Sequence, residues 1–283
     1  QGNFLSPKIL ERAGAFRART LIFASGNDLA NLEGVVAAYN QLRGSDSSPR
    51  LLWAHIANER LADTARKALQ TEGSLSIRLF DTYRISAKRM IDRHFNREIR
   101  NGVSEIDILG FGKFGRDLME ILVRDAATDE KCTIRDAASN LKWTIRVVDV
   151  RDVGEEVKAL AHDLALALNL DVQDHVFFTQ SAIQNLQLTD SEQRAFFICT
   201  DDDIGNLAAA LMLACHSTCT HIYIRMATWP MAAIADHLNQ KHGMTFININ
   251  DLVVQGIEDL PGIFSPPVAE DLKRTREQAS ASP

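Results

Sequence analysis

Two periodicities alternate along most of the chain, one of about two residues and one of about 3.6. From Ile106 to Ile249 they follow each other regularly. Ile106 to Leu109 reads as a short buried strand, and Lys113 to Asp125 as a helix with Leu118, Met119, Ile121 and Leu122 on one side. Thr144 to Asp149 is a strand. Glu155 to Leu168 is a periodic helix through Val157, Leu160, Ala161, Leu164, Ala165 and Leu168, and Val176 to Phe178 is a third strand. Strands at Phe196 to Ile198 and Ile222 to Ile224 follow, with an amphipathic segment at Met231 to Leu238. Apolar strands alternating with amphipathic helices predict a parallel sheet covered on both faces. The fold class is therefore α/β, with a doubly wound, Rossmann-like sheet.

The pattern repeats once. Leu21-Ile22-Phe23-Ala24-Ser25-Gly26-Asn27-Asp28-Leu29-Ala30-Asn31-Leu32 matches the segment from Phe196 to Leu207 at a constant offset of 175 positions. Asp28 then falls on Asp203, and Asn31 on Asn206. Each copy continues with a second strand, Leu51 to Ala54 or Ile222 to Ile224. Each then has another amphipathic segment, Arg60 to Leu69 in the first copy. Only the second copy has the elements from Ile106 ahead of it. The first copy begins near what would be its fourth strand. In the strand order 3-2-1-4-5-6, the fourth strand pairs with the first. Leu21 to Ser25 is therefore expected to present an open apolar edge, of the kind that pairs with another chain. The expected organisation is the carboxyl half of a first Rossmann-like unit over residues 1–82 and a connector over 83–104. A complete nucleotide-binding domain follows over 105–250 and an extended tail over 251–283. In the connector, Arg84 to Phe95 reads as a helix and Asn96 to Ser104 as a polar linker; Asp125 to Lys142 reads as a surface insertion.

The first strand of the complete unit runs into Gly110-Phe111-Gly112-Lys113-Phe114-Gly115. Gly-x-Gly-x-x-Gly alone is a weak signal, but here it follows a strand and opens a helix. Gly110 permits a tight turn, Gly112 leaves room for a pyrophosphate against the backbone, and Gly115 lets helix and strand pack closely. The N–H groups at the helix start then face the phosphates. Asp149, ending the next strand and followed by Val150 and Arg151, is placed to accept hydrogen bonds from both ribose hydroxyls of an adenosine. It lies further from the glycines than the usual ~20 residues. Arg151 reads either as a cover for adenine or phosphate or as plain surface. Thr200 and Asp201, at the end of the fourth strand, are candidate ribose or second-ligand contacts. Asp202 or Asp203 also suits the N-cap of the next helix. Arg225 closes the fifth strand, reaching the same crevice or an interdomain ion pair.

Other chemistry is not evident. Cys215-His216-Ser217-Thr218-Cys219-Thr220-His221 fits no standard zinc spacing, and no catalytic triad can be assigned. No Tyr-x-x-x-Lys pair occurs, since Arg43, Ala87 and Ala227 stand four residues after Tyr39, Tyr83 and Tyr223. The 283 residues are 46% apolar and 24% charged, enough for a packed core. The net charge of −6, with no basic stripe, argues against nucleic acid as the main partner. Leu207 to Cys215, the most apolar stretch, is about half the ~18 residues that span a bilayer. Four cysteines provide no disulfide framework, so a reducing cytosol is the expected compartment. A chain starting at Gln1 reads as a processed product or a piece of something longer.

Ile108 to Gly115, Val147-Val148-Asp149 and Phe197 to Leu207 together resemble the TrkA-N family, the nucleotide-binding RCK domains that regulate potassium channels and transporters. The first repeat resembles the carboxyl half of another such domain. Phe80-Asp81-Thr82-Tyr83 and its helix resemble the connector between two copies. The resemblance implies a cytoplasmic regulatory domain that binds NAD, ATP, ADP or another small ligand and pairs as a homodimer or higher oligomer. It also implies passage of a conformational change to a membrane pore, carried before Gln1 or on another chain. The first copy, lacking a glycine turn, would bind no dinucleotide. Two other readings stand beside this one. An NAD(P)-dependent oxidoreductase would need a proton-transfer residue, for which no well-placed candidate is visible. A non-catalytic assembly module would keep the fold around an empty pocket.

Overall fold

The computed structural model describes residues 5–42, 50–69, 75–128, 144–163, 169–174, 193–216, 221–228, 232–260 and 263. The chain divides into two compact units, Gln1–Ile85 with Val254–Pro283, and Ser86–Val253.

The first unit opens with α1 (Pro7–Arg12) and a 3-10 turn (Ala15–Arg17). It continues with β1 (Thr20–Phe23), α2 (Asp28–Leu42), β2 (Arg50–His55), α3 (Glu59–Ala68) and β3 (Leu75–Phe80). The strands form a parallel sheet in the order β1-β2-β3. One face buries Phe23, Leu52 and Ala54 against Leu10, Val35, Ala38 and Ala62. Among the described residues β1 pairs only with β2. Ile22 is 45% exposed there, and a cavity of about 410 Å³ lies along β1 between Leu10, Ala15, Leu21, Phe23 and Ser25.

α4 (Thr82–His94) and α5 (Arg97–Gly102) lead into β4 (Glu105–Leu109) and α6 (Lys113–Thr128). β5 (Thr144–Asp149), α7 (Gly154–Asp163) and β6 (Asn169–Asp174) follow. Next come β7 (Arg194–Ile198), α8 (Asp203–His216), β8 (His221–Met226), α9 (Ala232–His242), β9 (Met244–Asn248) and α10 (Ile249–Glu258). The six strands are all parallel, in the order β6-β5-β4-β7-β8-β9. This is the doubly wound order 3-2-1-4-5-6. One face packs Leu109, Val148, Phe196, Ile198 and Ile224 against Ala209, Ala210 and Leu213 of α8 and Leu238 of α9. On the other face Phe95 meets Phe197 and Tyr223 edge-on, with centroids 5.2 and 5.8 Å away.

Three local expectations change, and a fourth falls outside the described residues. The strand beside β5 is β6, Asn169–Asp174, while Val176 to Phe178, expected as the third strand, lie outside the described residues. An edge strand needs only alternate apolar positions, and Asn-Leu-Asp-Val-Gln-Asp supplies them without the continuous run of a central strand. The polar linker contains α5, because Asn96 caps it by accepting from the N–H groups of Glu98 (3.0 Å) and Ile99 (3.2 Å). α6 runs on to Thr128 into the expected insertion, whose remainder to Lys142 lies outside the described residues. The extended tail instead begins as α10, with Ile249 and Leu252 buried. From its last turn onward, Ile257, Leu260 and Ile263 pack on Leu51, Trp53 and Phe80 of the first sheet.

The charges inside the second sheet carried no sequence signal. Asp107 on β4 is fully buried. It accepts from Arg194 Nε at 2.5 Å and Nη2 at 2.9 Å, and from Arg146 Nη1 at 3.0 Å. These side chains lie on three adjacent strands. A one-residue slip would turn them to the opposite face, so the cluster specifies strand register.

Candidate functional site

The glycine turn lies at the carboxyl end of β4, held from both sides. Gly110 N–H donates to the Val148 carbonyl at 2.8 Å, and Cys199 N–H to the Leu109 carbonyl at 2.7 Å. Gly110 has φ +95°, and a Cβ there would lie 2.8 Å from Thr200 Cγ2. At Gly115 a Cβ would overlap the Gly110 carbonyl oxygen. At Gly112, which is exposed, a Cβ would meet no heavy atom within 4 Å. Two glycines are thus demanded by the protein's own packing. The middle one faces open space where α6 starts and where helix geometry leaves N–H groups without intrahelical carbonyls.

Phe111 is occupied by the protein's own contacts. Its ring is buried, its N–H donates to Asp149 Oδ2 at 2.6 Å, and its carbonyl accepts from Arg151 Nη2 at 3.0 Å. The Phe114 ring is buried too, so only the backbone of that residue can face a ligand. Lys113 is exposed at the helix start.

Asp149 ends β5 beside this turn and is 5% exposed. Oδ1 accepts from the Arg151 N–H at 2.8 Å and from Arg151 Nε at 3.1 Å; Arg151 Nη2 lies 3.5 Å from Oδ2. Burial alone would raise the carboxyl pKa, but the hydrogen bonds from Arg151 and Phe111 and the guanidinium charge outweigh it and hold the pKa below its ordinary value. The acid is ionised at neutral pH. Val150 is 64% exposed next to it.

The Thr200 to Asp203 turn is mainly architectural. Asp202 caps α8 by accepting from the Ile204 N–H at 3.1 Å. Asp203 accepts from the N–H groups of Ala227 (2.8 Å) and Thr228 (2.7 Å) and from the Thr228 hydroxyl (2.6 Å). These bonds and Arg225 lower its pKa against the opposing effect of burial. Asn206 Nδ2 donates to the Thr200 and Arg225 carbonyls, both at 2.9 Å, and Thr200 Oγ1 bonds Asn206 Oδ1. The first unit repeats the device. Asn31 Nδ2 donates to the carbonyls of Ser25 (3.0 Å) and His55 (2.9 Å), and Asp28 accepts from the Asn58 N–H at 2.8 Å. Since that unit has no glycine turn in this chain, the shared Asp and Asn bolt adjacent strand ends together, and their repetition needs no ligand. Asp203→Ala is expected to cost about 1–2 kcal/mol by leaving two loop N–H groups unpaired. A fall in the urea midpoint at unchanged slope checks this.

Arg225 does reach the crevice. It is 6% exposed, and its Nη1 bonds the Thr200 carbonyl at 2.5 Å and Asp201 Oδ1 at 2.9 Å. The guanidinium lies over the Phe114 ring, 5.6 Å from its centroid, and Nε is buried without a hydrogen-bond partner. Arg225 therefore links the glycine turn to the Thr200 turn, a role invisible in sequence because three segments must meet to create it. Asp201 is 84% exposed at its side chain and remains at the rim.

His221 starts β8, and burial lowers its pKa; Ser217 to Thr220 lie outside the described residues. Among the described residues no three His, Cys, Asp or Glu side chains gather as a metal site, and no helix is long and apolar enough to cross a membrane.

No described protein family matches the sequence, and no curated protein does. Solved structures do match. The crystal structure of GsuK bound to ADP aligns over 92% of this chain and 56% of GsuK, at a TM-score of 0.59 and 13% identity. One subunit of dipicolinate synthase from Bacillus halodurans aligns over 83% of this chain and 67% of its own, at a TM-score of 0.34 and 12% identity. The GsuK likeness is one of fold, and it bears out the Rossmann-like α/β architecture expected from the sequence. The chain spans little more than half the length of GsuK.

Proposed function

We propose that the second unit binds an adenine nucleotide, ADP, ATP or NAD, at the Gly110–Gly115 turn, and that the nucleotide regulates a potassium or other cation channel or transporter. The observation that carries the reading is the contrast between the glycines. Gly110 and Gly115 are required by contacts within the protein, whereas a side chain at Gly112 would touch nothing. No packing contact asks for glycine there, and the open space leaves the backbone accessible to a ligand from outside the protein. The ADP bound in GsuK, a protein of the same fold, supports the ligand class.

In this reading the N–H groups at the start of α6 hold the phosphates, Asp149 receives the ribose, and Val150 and Arg151 flank the adenosine. Thr200, Asp201 and Arg225 form the opposite wall. The nucleotide shifts the balance between two arrangements by binding one more tightly. A homodimer or higher oligomer on the cytoplasmic side of a membrane, coupled to a pore, completes the picture. Isothermal titration of the chain with ADP, ATP and NAD tests it, alongside NADH consumption with a panel of carbonyl substrates. Saturable heat with at least one nucleotide and no turnover is expected. Turnover would replace this reading with the oxidoreductase. Absence of heat with all three would favour the assembly module, a reading that has one observation in its favour, the guanidinium already seated on Asp149.

A further inference from the structure

The side chain of Arg151 is held through Nε and Nη2 although it is 60% exposed. Nε bonds Asp149 Oδ1, and Nη2 bonds the Phe111 carbonyl and approaches Asp149 Oδ2. The carboxylate is also held from within, each oxygen by one backbone N–H, that of Phe111 on Oδ2 and that of Arg151 on Oδ1. A carboxylate offers about four lone-pair sites. The backbone takes two, and a vicinal diol donating one hydrogen bond to each oxygen would need the other two. Those are the positions the guanidinium takes.

We infer that Arg151 is a displaceable latch on the ribose site, competing with the 2′- and 3′-hydroxyls for Asp149 and setting how much nucleotide is needed to fill the pocket. The inference rests on the nucleotide-binding reading above and adds a residue-level control to it. The latch is well suited to displacement. Its guanidinium is on the surface, so water receives it on release, and solvent on the arginine side screens the pair even though Asp149 is buried. Asp149 does not move with it, because its two backbone bonds remain. The nucleotide therefore meets a preformed acceptor once the arginine swings out, and a ligand without the diol gains nothing from the exchange.

The test compares ADP with 2′,3′-dideoxy-ADP on the wild-type chain and on Arg151→Ala and Arg151→Met, the second keeping most of the apolar stem. Removing the competitor is expected to tighten ADP about three- to tenfold. Affinity for the dideoxy compound should change by less than about twofold, the ordinary scatter of a distant surface substitution. ADP binding by Arg151→Ala where the wild type binds none would also support the latch, as a stronger one. Wild-type binding with no gain, or with weaker ADP binding in both variants, overturns the latch and leaves the nucleotide site standing. Equal gains for ADP and the dideoxy compound also overturn it, because the effect would then not pass through the diol. Absence of ADP binding in the wild type and both variants removes the nucleotide reading and the latch with it.

Discussion

Gly112→Val is expected to weaken nucleotide binding about 100-fold while leaving the protein folded. The valine side chain would project into the space the phosphates need and would touch no protein atom within 4 Å at Cβ. Losing two charge-assisted hydrogen bonds of about 1.5 kcal/mol each corresponds to an affinity fall of about 100-fold. The fold should lose no more than about 1 kcal/mol, because valine is a poorer residue than glycine at the start of α6. Titration with ADP and thermal melting of the same sample separate the two effects. A variant that binds ADP as tightly as the wild type would mean that the phosphates lie elsewhere.

Gly115→Ala is expected to act in the opposite way, through the fold. Its Cβ would collide with the Gly110 carbonyl oxygen, a backbone atom that cannot rotate aside, while Ile108 Cγ2 at 3.5 Å would be in ordinary contact. Such overpacking costs typically 1–3 kcal/mol, and a backbone clash belongs at the upper end, about 3 kcal/mol. For a domain of this size the melting temperature should fall by about 6–12 °C. Nucleotide affinity should fall with it, since helix and strand must move apart where the turn is made. Calorimetric melting checks the first effect. An unchanged melting temperature would show that α6 can shift at no cost, contrary to the close packing seen.

The two glycines look equivalent in the motif and are not equivalent in the molecule. Spacing alone marks Gly110, Gly112 and Gly115 as a set. The distinction between a glycine kept for packing and one kept for open space needs the positions of Thr200 and the Gly110 carbonyl. Asp149 behaves similarly. Its place at the end of β5 was readable from the apolar run before it. Its engagement by Phe111 and Arg151 was not, because a hydrogen bond across 38 positions leaves no local trace. The Thr200 turn divides along the same line. The N-capping role of an acid there was visible, and it falls to Asp202. The assignment of Asp203 to the loop after β8 required the adjacent strand to be in place.

What the sequence determined by itself is the element pattern, the repeat, and the location of the turn, because these depend on periodicity and on local backbone sterics. The six-stranded order followed from the regular alternation of strands and helices from Ile106 onward. Tertiary structure alone decided the buried Asp107–Arg146–Arg194 cluster, the stacking of Arg225 on Phe114, the return of Ile257 to Ile263 to the first sheet, and the bond from Arg151 to the Phe111 carbonyl. Each joins residues distant in the chain, and a polar group's cost or value is set by what surrounds it after folding rather than by its neighbours in sequence.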